Sequence, residues 1–197
     1  MAELRADARR NREELLEVAR QVIREQGVDT SLREIARRAG VGIATLYRHF
    51  PTREVLIADI VGGGIRRLNN RAAELSAAKP AGEALADWLA DMASRIGPYQ
   101  GLPAAMHDAV ASDGSPLSEP CAELMSAGGT LLARAQADGA VRADVAFPDV
   151  FTAVVAISAI ATRSGLDASA RVLAVYLDGL RTAGAPGAAP PVTGSSS

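Results

Sequence analysis

The chain has 197 residues, 48% of them hydrophobic and 22% charged, an ordinary soluble globular composition with ample material for a core. Its formal net charge of −2 is unevenly spread: residues 1–55 hold 11 Arg against 9 acidic residues, and residues 56–197 hold 10 Lys and Arg against 14 acidic ones. That asymmetry favours DNA contact at the N-terminal end. No N-terminal stretch joins a basic region to an apolar one, so secretion is not expected. The lone Cys121 cannot close an internal disulfide, which fits a reducing cytoplasm. The most apolar stretch, Val150 to Thr162, falls short of the roughly 20 residues a bilayer requires. It reads as a helix buried all round, and no membrane partner is expected. Only Lys79 among the basic residues is lysine, and with the heavy use of Ala and Gly this points to a GC-rich genome.

The first element expected is a helix from about Asp7 to Gln26, with an apolar stripe of Leu15, Leu16, Ala19, Val22 and Ile23 and a C-terminal stop at Gly27. Ser31 and Glu34 then have the spacing of a capping box. They open a second helix whose apolar face is Leu32, Ile35, Ala36 and Ala39 and which ends at Gly40. A short Gly-containing turn leads to a third helix, Ile43 to Phe50, with Leu46 and Phe50 facing inward. The second and third helices thus have the spacing of a helix-turn-helix. A fourth helix starts near Thr52 and carries Val55, Leu56, Ile57, Ile60 and Val61. Gly62, Gly63 and Gly64 fall inside it, each weakening it by roughly 1 kcal/mol relative to Ala. Either a hinge or close helix packing accounts for them, and the following residues do not complete a phosphate loop.

Helices are expected further on at about 80–96, 103–111, 116–138, 148–164 and 167–182, with Pro80, Pro116 and Pro148 at or near their first turns. Gly97-Pro98 and Gly101-Leu102-Pro103 mark an irregular segment. No strand alternation and no internal repeat is present. The Pro, Gly, Ala and Ser tail from Gly184 to Ser197 is expected to be disordered. The fold class is all-α. An N-terminal three-helix helix-turn-helix domain (1–55) joins a C-terminal helical effector and dimerisation bundle (56–183), followed by the tail (184–197).

The stretch SLREIARRAGVGIATLYRHFPTREVL, Ser31 to Leu56, resembles the DNA-binding domain of the TetR family of bacterial regulators. The resemblance rests on Ile35-Ala36, Ala39-Gly40-Val41, Thr45-Leu46-Tyr47-Arg48-His49-Phe50, a basic residue and Leu56. It implies an all-helical homodimer that reads two half-sites of a palindromic double-stranded DNA operator and binds an effector in its C-terminal domains. The residues agree with that role. With Leu46 and Phe50 buried, Ile43, Ala44, Thr45, Tyr47, Arg48 and His49 form an outer arc on the third helix. Gly42 and Ala44 allow close approach to a major groove, and Thr45 and Tyr47 offer hydroxyls or apolar contact to bases. Ser31, Arg33, Thr52 and Arg53 complete the expected interface. Arg53 opposes the dipole of the fourth helix, a penalty of about 0.3–1 kcal/mol that a DNA phosphate would reverse. Gly42 stands where the family often has a capping Ser or Thr, and Arg53 replaces the commoner Lys. Arg37 and Arg38 are a solvated face or phosphate contacts, and Arg5, Arg9, Arg10 and Arg12 a basic arm or helix surface.

Leu131 to Val145 is similar to the SbtR-like subgroup of TetR effector domains. Candidate effector-lining residues are Trp88, Met92, Tyr99, Met106, His107, Leu124, Met125 and Phe151, although Met and aromatic residues at helical spacing also serve as plain core. A cavity is expected among Trp88, Met92, Met125 and Phe151. No catalytic triad or metal-ligand cluster can be assembled from these residue types, and no cofactor is expected. The helices at 150–160 and 172–180 are apolar on more than one side, which points to pairing with a second copy. The principal expectation is a repressor released from its operator by a small molecule. A helical-bundle enzyme or ligand carrier, or a regulator answering to a protein partner, stands beside it.

Overall fold

A computed structural model describes residues 2–111 and 114–182, with side chains from residue 10 onward. Among the described residues there are ten helices: α1 (Ala2–Gln26), α2 (Leu32–Arg38), α3 (Ile43–His49), α4 (Arg53–Ala78), α5 (Ala81–Ile96), α6 (Leu102–Ala111), α7 (Ser118–Ala137), α8 (Phe147–Ser158), α9 (Ala161–Ser164) and α10 (Leu166–Leu180). An isolated antiparallel bridge between Val141 and Arg181 is the one extended pairing among them. The tail expected to be disordered lies outside the described residues, as do the side chains of Arg5 and Arg9.

The N-terminal three helices close around Leu15, Ala19, Val22, Ile35, Leu46 and Phe50, each at most 1% exposed. Gly27 ends α1 with φ +86°, its N–H on Ile23 O at 2.8 Å, a left-handed stop that suits glycine. Ser31 caps α2, its Oγ accepting the Glu34 N–H at 3.2 Å. Glu34 does not reach back to complete a capping box; it takes Arg37 at 2.8 Å and Arg38 at 3.1 Å instead. Those two cations hold its carboxyl at about 2. Arg38 also pairs with Glu25, tying α1 to α2. Arg12 is paired as well: its guanidinium bonds Asp59 on α4 and lies 5.2 Å from the centre of the Phe50 ring.

The long α4 runs unbroken across the expected domain boundary at 55/56 and packs on α5 and α7. A Cβ at Gly62 or Gly63 would meet only ordinary contacts at 3.6 Å or beyond, and one at Gly64 would meet nothing within 4 Å. Close packing therefore does not demand this glycine triplet. Trp88 fills the centre of the C-terminal bundle, fully buried, with its Nε1 donating to Leu68 O at 2.9 Å. Its ring lies 6.1 Å from that of Phe147.

Pro80 is the residue before α5, Pro116 stands in the turn before α7 and Pro148 lies in the first turn of α8, so each is at or near a helix start. Two sequence expectations are corrected in this half. The helix expected over 148–164 breaks at Ala159–Ile160 into α8 and α9. It is also not buried all round: Val150, Phe151, Val154 and Val155 face the core, whereas Thr152 and Ala156 are exposed. The 18-residue window Phe147–Ser164 is apolar enough on average to be compared with a membrane span, yet only 33% of it is buried inside this chain.

Candidate DNA interface and effector cavity

The helix-turn-helix residues are presented as a polar arc. Because Leu46 and Phe50 are fully buried, the rest of α3 turns outward. Tyr47 is 49% exposed, Gly42, Ala44 and Arg48 are exposed, and Ile43, Thr45 and His49 are half-buried. The α3 N-cap is Gly42, which makes no side-chain capping bond. Beside this arc lies a shallow concavity of about 410 Å³ whose lining includes Ser31, Arg33, Tyr47, Thr52 and Arg53. Thr52 caps α4, its Oγ1 accepting the Val55 N–H at 3.3 Å. Arg33 and Arg48 have no carboxylate partner among the described residues, so their charge is available. Arg37 and Arg38 are engaged with Glu34.

Arg53 is held differently from its sequence expectation. Its Nη1 donates to Asp29 O at 3.1 Å and stands 3.6 Å from Asp29 Oδ1, while its Nε lies 3.8 Å from Glu54 Oε1. The helix-dipole penalty is thus offset locally by acidic neighbours before any phosphate arrives. Glu54 sits favourably in the first turn, and hydrogen bonds to its own backbone N–H and to Thr52 hold its carboxyl below the usual range.

A second concave feature, about 270 Å³, lies between α1, α4, α5 and α6, with Leu124 of α7 at its edge. Of the residues expected to meet an effector, Met92, Tyr99, Met106 and Leu124 line it. Trp88, His107, Met125 and Phe151 do not. Trp88 and Phe151 are solid core, Met125 is half-buried elsewhere, and His107 is an exposed side chain with Nδ1 3.7 Å from Asp108 Oδ1. The cavity is therefore displaced from the expected space towards the DNA-binding end.

Sequence reasoning missed Arg20, Arg24, Arg67 and Arg95, which also line it. A signal existed in Arg20 and Arg24, one helical turn apart and flanking the buried Val22 and Ile23. Cys121 is buried nearby in α7, and desolvation pushes its thiol up to about 11, which makes it an inert core residue.

The cavity adjoins the joint between the two halves of the chain. Val28 N donates to Gln100 O at 2.9 Å, and Arg24 Nε donates to Tyr99 Oη at 3.1 Å with its guanidinium 5.2 Å from the ring centre. Gly101, at φ +83°, lies so close that a Cβ there would stand 2.6 Å from Val28 Cγ2.

Residues 15–60 match the family model of bacterial regulatory proteins of the tetR family, and residues 80–182 match that of the SbtR-like transcriptional regulator C-terminal domain. The chain belongs to the TetR family of bacterial transcriptional regulators. The TetR regulator SCO0520 of Streptomyces coelicolor is 37% identical over 86% of this chain and 98% of its own, with a TM-score of 0.61. A TetR regulatory protein of Mycobacterium vanbaalenii is 38% identical over 91% and 99%, with a TM-score of 0.56. An HTH-type transcriptional regulator of Staphylococcus aureus is 44% identical over 48 residues. That match spans 24% of this chain and about a quarter, 26%, of the curated relative. Thermus thermophilus FadR, solved with lauroyl-CoA, is 21% identical and shares the fold.

The SbtR-like match covers the loop after α7, and the tetR-family match covers the reading head. In the SbtR-like segment, Arg134 of α7 bonds the carbonyls of Ser76 and Lys79 at the end of α4. Gln136 Nε2 donates to Arg142 O at 3.1 Å and to Val145 O at 2.9 Å. These polar residues of the motif therefore fasten the loop and the α4 terminus, and none of them lines the cavity between α1, α4, α5 and α6.

Proposed function

We propose that this TetR-family regulator is a homodimer that reads a palindromic operator with α3 and is released from it when a small molecule enters the cavity between α1, α4, α5 and α6. The observation that carries the DNA reading is the half-exposed Tyr47 among Thr45 and Arg48, beside the open concavity that includes Arg33 and Thr52. Hydroxyls and apolar faces in that position suit base edges, and the flanking cations suit phosphates. Arg53 and His49 are assigned to the passing backbone. Ser31, Gly42, Ile43 and Ala44 supply close approach.

Dimerisation is supported by the apolar surface of the last helices. Leu166, Val172 and Val175 of α10 are 50%, 43% and 74% exposed, and a partner's copy of the same face would cover them. Effector control is supported by the cavity's position against the Tyr99–Arg24 and Gln100–Val28 contacts. A ligand there touches the joint that sets the pose of the reading heads.

The test is selection of bound fragments from a random DNA pool by the purified full chain, followed by affinity measurement. Enrichment of a two-fold symmetric sequence is expected. Failure to enrich any sequence, with the protein folded and dimeric, overturns the reading.

A further inference from the structure

We propose that the cavity between α1, α4, α5 and α6 takes an amphiphile, an apolar chain carrying an anionic head, whose head is read by Arg24, Arg67 and Arg95. This rests on the reading of the cavity as the effector site and adds the chemical class of its ligand.

The wall has two parts of different character. Ile65, Leu68, Met92, Ile96, Met106 and Leu124 give it an apolar floor, every one of them buried. Four arginines from α1, α4 and α5 also line it, and no Asp or Glu does so among the described residues. Arg20 is partly answered by Glu17 at 2.8 Å. Arg24 spends its Nε on Tyr99 Oη and stacks on that ring, which fixes its orientation and leaves its terminal nitrogens for a ligand. Arg67 and Arg95 are exposed and have no ion pair among the described residues. A cleft lined by cations of one sign over low-dielectric walls concentrates anions and repels cations. Guanidinium groups add charge-assisted, bidentate hydrogen bonds to carboxylate or phosphate oxygens. The apolar floor then selects for a hydrocarbon attached to the head, because the small volume of about 270 Å³ is otherwise poor in polar groups. Gly64 belongs to the lining and has open space where its Cβ would be, so the chain has room beside α4.

Two sources share this chemistry, a free carboxylic acid and an acyl group on a phosphorylated carrier. Isothermal titration of the full-length protein at low salt with decanoate, decanoyl-coenzyme A, decanol and decyltrimethylammonium tests the assignment. At least one of the two anions is expected to bind, decanol about tenfold or more weakly, and the ammonium not at all. The tighter of the two anions identifies the source. The double substitution Arg67→Ala with Arg95→Ala, at exposed positions without an ion pair among the described residues, should weaken the anion about tenfold and leave decanol unchanged. Gly64→Leu, whose Cβ would meet nothing within 4 Å and whose branched end adds bulk to the lining, should abolish binding of every chain. Equal binding of decanol and the anions overturns the proposal, and so does an unaffected double variant or no binding by any probe. The effector reading is judged separately, on selected DNA. An anion that binds without releasing DNA supports the ligand assignment and overturns effector release; a neutral ligand that releases DNA does the reverse.

Discussion

Adjacent glycines on α7 give the sharpest test of the packing argument, because substitution by alanine should have opposite signs at the two positions. A Cβ at Gly128 would stand 1.9 Å from Phe147 Cζ and 2.4 and 2.6 Å from the neighbouring ring carbons. Carbon atoms pack at about 3.5–4.0 Å, so the ring would have to retreat by roughly 1.5–2 Å. Phe147 is only 6% exposed and its ring meets Trp88 at 6.1 Å, which leaves little room for that movement. Overpacking of this kind costs about 1–3 kcal/mol, and loss of the ring pair about 0.5–1.5 kcal/mol. Alanine's better helix propensity returns about 1 kcal/mol. The net loss is about 1–3 kcal/mol, or a fall in Tm of roughly 2–12 °C for a chain of this size. At Gly129 a Cβ meets nothing within 4 Å, so only the propensity gain remains and Tm should rise by roughly 2–4 °C.

The assay is calorimetric melting of both variants at one fixed chain concentration, since the Tm of any self-associating chain depends on concentration. Pairing Gly128→Ala with Phe147→Ala should show favourable coupling, because the smaller side chain removes the clash. A Gly128→Ala protein as stable as the parent, or a Gly129→Ala protein less stable, would refute the account of α7 against α8.

On selected operator and on random DNA, Arg53→Ala should weaken binding to both about equally and reduce the salt slope by roughly one unit, whereas Thr45→Ala or Tyr47→Ala should mostly erase the difference between them. An unchanged salt slope in Arg53→Ala would confine that residue to its bond with Asp29 O. Replacing Ile157 and Val175 with Glu should give monomers by light scattering and much weaker operator binding, because a single half-site supplies too little affinity; persistence of the dimer would move the interface elsewhere. The Glu34 carboxyl is held at about 2 by Arg37 and Arg38. Its contribution to the folded state is therefore present above about pH 4.3 and is lost as pH falls towards 2. Glu34→Gln should flatten that part of the acid-unfolding profile, which fluorescence or circular dichroism would follow.

The reading head was legible in sequence because its signals are local. Capping at Ser31, stops at Gly27 and Gly40, and the inward pair Leu46 and Phe50 each act within a turn or two of the chain. Their sum leaves Tyr47 and Arg48 outside. The candidate effector cavity was only half legible. Met92, Tyr99, Met106 and Leu124 carry the apolar pattern of both core and pocket, and periodicity does not separate those roles. Trp88 and Phe151 share that pattern, yet they fill the bundle. The arginines were overlooked for the converse reason: charged side chains at helical spacing read as solvated surface until α1, α4 and α5 bring them to one opening. Likewise α8 looked buried all round in sequence, because Ala153, Ala156 and Ile157 extend its apolar residues beyond the face that meets the core.

The joint between the two halves shows why long-range coupling leaves so faint a trace in sequence. It is made by two turns facing each other, Gly27-Val28 after α1 and Gln100-Gly101 before α6, through a bond from Val28 N to Gln100 O. Main-chain groups make this bond, so no side-chain pattern encodes it. What the sequence carries is glycine at Gly27 and Gly101, both at positive φ, one with Gln100 O 3.3 Å from its missing Cβ and the other with Val28 Cγ2 at 2.6 Å. Such a contact has little slack, since neither turn can move far without opening the bond or pressing Val28 into the opposite backbone. Tyr99, one residue before Gln100, is at once a wall of the cavity and the partner of Arg24 on α1. Under the proposed function, a ligand that displaces Tyr99 therefore acts directly on α1 and on the turn leading into α2. The reading heads would be reoriented by a movement passed through backbone rather than through the apolar core, which can stay packed in both states.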